Sequence, residues 1–352
     1  MQMDSMLRGL ARAPWRSVAR HILGRAAFDT SRGYENTVTS IIAAGSNQAQ
    51  EIALYKGMVE HLVAGEKYIQ IVQLEPGERP VVEAWIRAKR KHKNDLTDVF
   101  PGVAPESTLI PLRHLDPTAA GFVELENGVA ALFTGVRSYV HSVPVPASSL
   151  KDGAASGYER IVGYKNVFKH VYDAIWLPSK GNYVVIAVDY PQDGPTQRFP
   201  EPGAKYLLSI IRQLLNRSIK FANLWHAVDG LYQAQDGKLV DYGFSAGGQS
   251  VNHHKARRRA ALCLRKAVYD AAGAAAVTAA GKSLELFKVA MQWSVKHPDG
   301  IIIVPEVQIP GVAMDLGKPM PTVGYCVIRG CLTSRDLSLV VSKLTPHVKN
   351  WI

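Results

Sequence analysis

Gly243-Phe244-Ser245-Ala246-Gly247 sets a serine between two glycines as G-x-S-x-G, directly after the strand-like run Lys238 to Phe244. At a strand-to-helix turn these glycines would lift the hydroxyl clear of a sheet. There it could attack an acyl carbon, with the Ala246 amide giving half of an oxyanion hole. The same residues also read as a plain glycine-rich turn, or as a phosphate cradle at a helix N-terminus.

The second chemistry is phosphate binding. Lys+Arg number 41 and Asp+Glu 30, a formal charge of +11. The cations cluster in three places. Arg8, Arg12, Arg16 and Arg20 recur every fourth residue, as on one face of a helix, although Pro14 interrupts it. Arg87, Lys89, Arg90, Lys91 and Lys93 form the second group. Lys255, Arg257, Arg258, Arg259, Arg265 and Lys266 form the third, with no acid between Asp241 and Asp270. Like charges stacked along a helix repel, so an external anion is the expected partner, and Arg suits phosphate by its bidentate fork. With no Cys/His finger, RRM or KH signature, contact is expected through the backbone of RNA or DNA, without sequence preference. Six to ten phosphate contacts would weaken binding roughly 10³–10⁵-fold between 50 and 200 mM salt. A basic protein of this kind could self-associate as a coat or nucleocapsid component; a basic scaffold for acidic proteins is a further reading.

Val185-Ile186-Ala187-Val188-Asp189-Tyr190 and the later Gly-Phe-Ser-Ala-Gly-Gly together resemble the α/β-hydrolases, in particular the hormone-sensitive-lipase-like esterases with their GDSAGG motif. The resemblance covers about 65 residues and implies a serine esterase using Ser245, with the family's chain order Ser…Asp…His filled by Asp315 or Asp336 and then His347. The HGGG-type loop of that family is absent from 156–182. A third reading takes Glu306-Val307-Gln308 after IIIVP, with Asp299 seven residues earlier, as a PD-(D/E)xK-like nuclease pair for Mg²⁺. No Walker A or G-x-G-x-x-G is present, so no cofactor is expected, and the cysteines and histidines form neither a zinc-ribbon nor an H-E-x-x-H spacing.

These groups need elements to hold them. Expected are a helix at 46–64 capped by Ser46, a strand at 67–74, a helix from Pro80 to Lys93, and a hairpin at 121–143 turning at Asn127-Gly128. Later come a strand Tyr183–Val188, a helix 204–231, a strand Lys238–Phe244, and a long Ala-rich helix 249–281. A helix 284–296, strands 300–309 and 322–329, and a helix 334–345 follow. The fold class is mixed α/β, α/β or α+β, in two lobes. The segments are a basic arm 1–35, an α+β lobe 36–150 and an α/β lobe 151–352, joined at the Pro/Ser/Gly-rich stretch 144–157. Three cysteines, an odd number, fit a reducing compartment such as the cytoplasm. The Arg-rich, acid-poor start has the composition of an organelle transit peptide. No apolar run reaches transmembrane length.

Overall fold

Runs of β-branched and aromatic residues build the centre of the molecule. KYIQIVQ, YVVIAVD and HVYDAIWL are apolar on both faces, the pattern of strands covered above and below. The computed structural model describes residues 3–31, 33–151, 157–192, 196–246, 250–257 and 262–352. Its helices are α1 Met3–Leu10, α2 Arg20–Arg25, α3 Tyr34–Ala44, α4 Gln48–Ala64, α5 Glu78–Arg87, α6 Asp95–Asp98, α7 Glu106–Leu112, α8 Glu201–Leu215, α9 Trp225–Gln233, α10 Val268–Ala279 and α11 Ser334–Leu344. The strands are β1 Lys67–Gln73, β2 Thr118–Leu125, β3 Gly128–Pro144, β4 Val162–Pro178, β5 Tyr183–Asp189, β6 Lys238–Ala246, β7 Val251–Lys255, β8 Leu284–Gln292, β9 Val295–Lys296, β10 Ile302–Ile303, β11 Glu306–Ile309 and β12 Cys326–Arg329.

Ten strands form one sheet in the order β2-β3-β4-β5-β1-β12-β11-β8-β6-β7, and β9 and β10 pair separately. Every pairing is antiparallel. One face packs Ile69, Ile71, Ala174, Trp176 and Val185 against α4, α9 and α11. The other packs Val72, Ile175, Val184 and Ile186 against Val82 and Ile86 of α5 and Leu207 and Ile211 of α8. The protein is therefore a mixed α/β fold, a helix–sheet–helix sandwich. Among the described residues no helix is long and apolar enough to cross a membrane.

Several sequence expectations need correction. No lobe boundary falls at residue 150, because β3 and β4 flank the 144–157 stretch and pair with each other from Gly128↔Pro178 to Pro144↔Val162. Residues 3–31 are no free arm either. Met6, Leu7, Leu10, Val18, Ile22 and Leu23 are buried against Leu54 and Met58 of α4 and against Ile303 and Leu332. Around Pro14 the helix breaks into α1, a π-turn at Trp15–Ala19 and α2, so the four arginines share no single face.

The expected helix 249–281 divides into β7, a 3₁₀ turn at Leu264–Lys266 and α10. Residues 284–296 are strand, not helix. Leu286, Phe287, Val289, Ala290 and Met291 are buried between β6 and β11, a near-continuous apolar run whose period alone cannot separate helix from strand. The helix expected at 204–231 ends at Leu215, where Asn216 adopts the left-handed conformation, and restarts as α9. Helix α4 is capped by Asn47 rather than Ser46; Asn47 Oδ1 accepts from Gln50 N while Gln50 Oε1 accepts from Asn47 N.

Candidate functional site

The second cationic cluster does not ride on a helix face. Helix α5 stops at Arg87, and residues 88–93 run on as a loop held by the His92 amide donating to the Ala119 carbonyl. The turn brings Lys89, Arg90 and Lys91 to one wall of a groove of about 1010 Å³. Arg25 and Lys56 stand on the helical side, with the rings of Tyr55, Phe100 and Phe122 among them. Three carboxylates, Glu60, Glu124 and Glu126, also line it. Every residue from Ala120 to Glu126 takes part, although neighbouring side chains of a strand point to opposite faces. The groove therefore follows the free backbone edge of β2, the outermost strand of the sheet.

The cations differ sharply in what they already hold. Arg25 is paired with Asp299 at 2.6 Å, and Arg87 with Glu83 at 3.0 Å and Glu124 at 3.3 Å. Lys89 Nζ sits 3.9 Å from the centre of the Trp85 ring. Its burial moves its pKa down. Arg90 donates only to the carbonyls of Arg87 and Lys89. Lys56, Arg90 and Lys91 have no carboxylate partner among the described residues, and Lys93 is exposed beside them.

The N-terminal arginines are mostly engaged. Arg8 pairs with Asp4 one turn away. Arg12 reaches into the body, to Asp189 at 2.9 Å and to the His170 carbonyl. Arg20 Nε donates to Thr30 Oγ1 at 3.4 Å, and with Arg16 it borders a shallow surface hollow. In the third cluster, Lys255 ends β7 and Arg257 follows it, while Arg258 and Arg259 lie outside the described residues. Arg265 is corrected from the phosphate-binding set. Its guanidinium donates to the carbonyls of Leu231, Tyr232, Ala234 and Gly237, closing the end of α9. Lys266 is exposed on the same 3₁₀ turn.

Ser245 lies inside β6, paired in register with Val251 of β7 and Glu285 of β8, and is buried. The next described element, β7, runs back antiparallel to β6, so among the described residues Ser245 stands within a strand and not at a strand-to-helix turn. Gly247 and Gly248 lie outside the described residues. Asp315 is paired with Lys318 at 2.5 Å in a 3₁₀ turn, and the His347 imidazole lies against Gly230 of α9. Asp336 bonds His297 Nε2 at 2.8 Å and the amides of Leu332 and Thr333, capping α11. No hydrogen bond joins any of these groups to Ser245 among the described residues. Glu306 accepts from Gln292, and Asp299 is held by Arg25. Among the described residues no three carboxylate, imidazole or thiol groups converge as a metal site.

A group of buried charges went unnoticed in the sequence. Lys67 and Asp189 are register partners across β1 and β5, with Nζ to Oδ1 at 3.6 Å. Lys67 also donates to the Tyr172 carbonyl at 2.7 Å. Arg137 on β3 bonds Asp173 Oδ1 at 2.8 Å and the Asp189 carbonyl at 2.9 Å. Burial alone would raise the Asp189 pKa, but Lys67, Arg12 and Arg137 around it hold it at about 2. Burial moves Lys67 downward. His170 is pushed down to about 3 by burial and by Arg12. It takes the Ala104 N–H on Nδ1, so its proton sits on Nε2, 2.6 Å from Thr134 Oγ1. Burial and Lys67 take His61 down to about 4.

Arg12, His61, Lys67 and Asp189 line a cavity of about 50 Å³, room for a few waters. Its evident work is to clamp residues 3–31 onto the sheet. The usable signal was a charge set inside an apolar strand, as Asp173 is in HVYDAIW; Lys67 stands only at the head of KYIQIVQ.

Against known proteins, the chain matches no family model, no curated protein and no solved structure. The likeness to the α/β-hydrolases thus rests on a short stretch of sequence, and the antiparallel sheet gives its serine no elbow.

Proposed function

We propose that the protein binds nucleic acid through backbone phosphates laid in the groove along β2. The observation that carries this reading is the trio Lys56, Arg90 and Lys91, which face one groove from two elements without carboxylate partners among the described residues. Amides of the free strand edge are further donors for phosphate oxygens. Glu60, Glu124 and Glu126 keep the groove from being uniformly positive and favour a contact confined to the cationic wall.

The footprint is smaller than the bare sequence implies. Three to five phosphate contacts give a loss of roughly 10–10³-fold in affinity between 50 and 200 mM salt. Fluorescence polarisation with a labelled single strand and a duplex at both salt concentrations measures this. The Lys56→Glu, Arg90→Glu, Lys91→Glu triple variant should abolish binding while Arg257→Glu leaves most of it. Undiminished binding by the triple variant, or no binding at 50 mM salt, would sink the reading.

A further inference from the structure

At the far edge of the sheet, β6 and β7 present Tyr242, Phe244, Asn252 and His254 on one face, since Tyr242 is paired with His254 and Phe244 with Asn252. Helix α10 lies over that face. Its half-buried residues are Asp270, Ala274 and Val277, one side of a helix, while the rest of it is exposed. Asp270 touches the sheet, but the short side chains of Ala274 and Val277 further along leave space above it. A pocket of about 160 Å³ remains, lined by Tyr242, Phe244, His254, Tyr269, Ala274 and Val277. Close-packed interiors hold few voids larger than a water. A cavity of about 150 Å³ is enough for benzene.

The pocket has one organised polar group. Asp270 Oδ1 lies 2.6 Å from His254 Nδ1 and accepts the Tyr242 hydroxyl at 2.7 Å. An ionised carboxylate only accepts, so Nδ1 carries the imidazole proton. In the neutral imidazole Nε2 is then the lone-pair nitrogen, and it makes no hydrogen bond among the described residues. The surrounding rings are set for flat contacts. Tyr242 and Phe244 stack at 5.1 Å with 15° between planes, and Phe244 meets His254 edge-on at 5.1 Å.

We infer that this pocket is a binding site for a small planar aromatic molecule bearing a hydroxyl, of about the size of phenol. The ring lies among Tyr242, Phe244 and Tyr269, and the hydroxyl donates to His254 Nε2. Asp270 and Tyr242 fix the imidazole so that the acceptor is presented without reorganisation. Helix α10 forms the roof. The site is remote in sequence from the β2 groove and does not depend on nucleic-acid binding.

Phenol and toluene are the probes, titrated against the full chain and followed by saturation-transfer NMR of the ligand. Phenol should bind about tenfold more tightly than toluene, the gain from one well-placed hydrogen bond. His254→Phe keeps a ring and removes the acceptor, so it should bring phenol down to the toluene level. Ala274→Leu fills the space from the roof and should abolish binding of both. Val277→Phe repeats that test should Ala274→Leu lose its circular-dichroism signature of folding. Phenol bound no better than toluene, bound equally well by both filled variants, or not bound at all would overturn the assignment.

Discussion

Arg12 and Lys91 both belong to clusters of positive charge, yet the fold uses them in opposite ways. Arg12 reaches a carboxylate and a carbonyl more than 150 residues away in the chain. Lys91 lines a groove whose carboxylates among the described residues are Glu60, Glu124 and Glu126, and it pairs with none of them. A cationic cluster thus announces a charge to be balanced, and only the tertiary fold decides whether the balance comes from inside. Density of Lys and Arg overestimates the surface offered to an external anion wherever strands bring acids or free carbonyls alongside, as for Arg12 and Arg265.

The largest expected effect tests the internal side of this contrast. Asp189→Asn leaves Lys67, Arg12 and Arg137 facing one another with one buried anion fewer. The cost should be about 3–5 kcal/mol, read as a lowered urea midpoint. Acid should act next. His61 and His170 are neutral in the fold and take up protons once unfolded, starting near the ordinary value of 6.5. Because their folded pKa values are lowered, stability is full above pH 6.5 and falls by a few kcal/mol as pH drops toward 4. Asp189, held at about 2, begins to lose its contribution only below about 3.9, so the two windows separate. A His170→Gln variant should show a shallower loss between pH 6.5 and 4 than the parent.

Arg265→Ala strands the carbonyls at the end of α9 and should cost roughly 2 kcal/mol. The smallest effect falls on the other side of the comparison. Lys56→Glu and Lys91→Glu should move stability by no more than about 0.5 kcal/mol, since neither side chain has a partner to lose among the described residues. A large stability loss there would show that the groove charges are structural after all.

Local chemistry was readable and long-range pairing was not. The hairpin was readable but its turn was placed one residue late: the turn falls at Glu126-Asn127, Gly128 is already paired with Leu125, and neither turn residue has the positive φ of type I′. Strands β1 and β5 showed as β-branched runs, β6 as the mixed apolar stretch KLVDYGF, and α11 was legible from its apolar spacing. Strand β4 escaped notice because Lys165, Asn166 and Lys169 dilute its first half, which is the less buried one. Strand β7 was hidden by its charge; VNHHK looks like the start of a helix until β6 supplies five register partners. The groove could not be foreseen, since Lys56 and Lys91 are brought together by packing of α4 beside an edge strand. The His254–Asp270 contact is similar, crossing a strand and a helix that the sequence presented as one continuous helix.

The place of β1 has a consequence for how the chain reaches its native state. Ile69 lies opposite Ala187 on one side and Cys326 on the other. Residues 220–222 cover the Ile71–Gln73 half of the strand's second edge, but the Lys67–Ile69 half of this early strand waits for residues 326–328, and until then its unpaired backbone groups stay open to other chains. Closing contacts of such sequence separation is slow, and the interval is prone to aggregation. During translation this protein should depend on chaperones that shield strand edges until the β12 segment has left the ribosome.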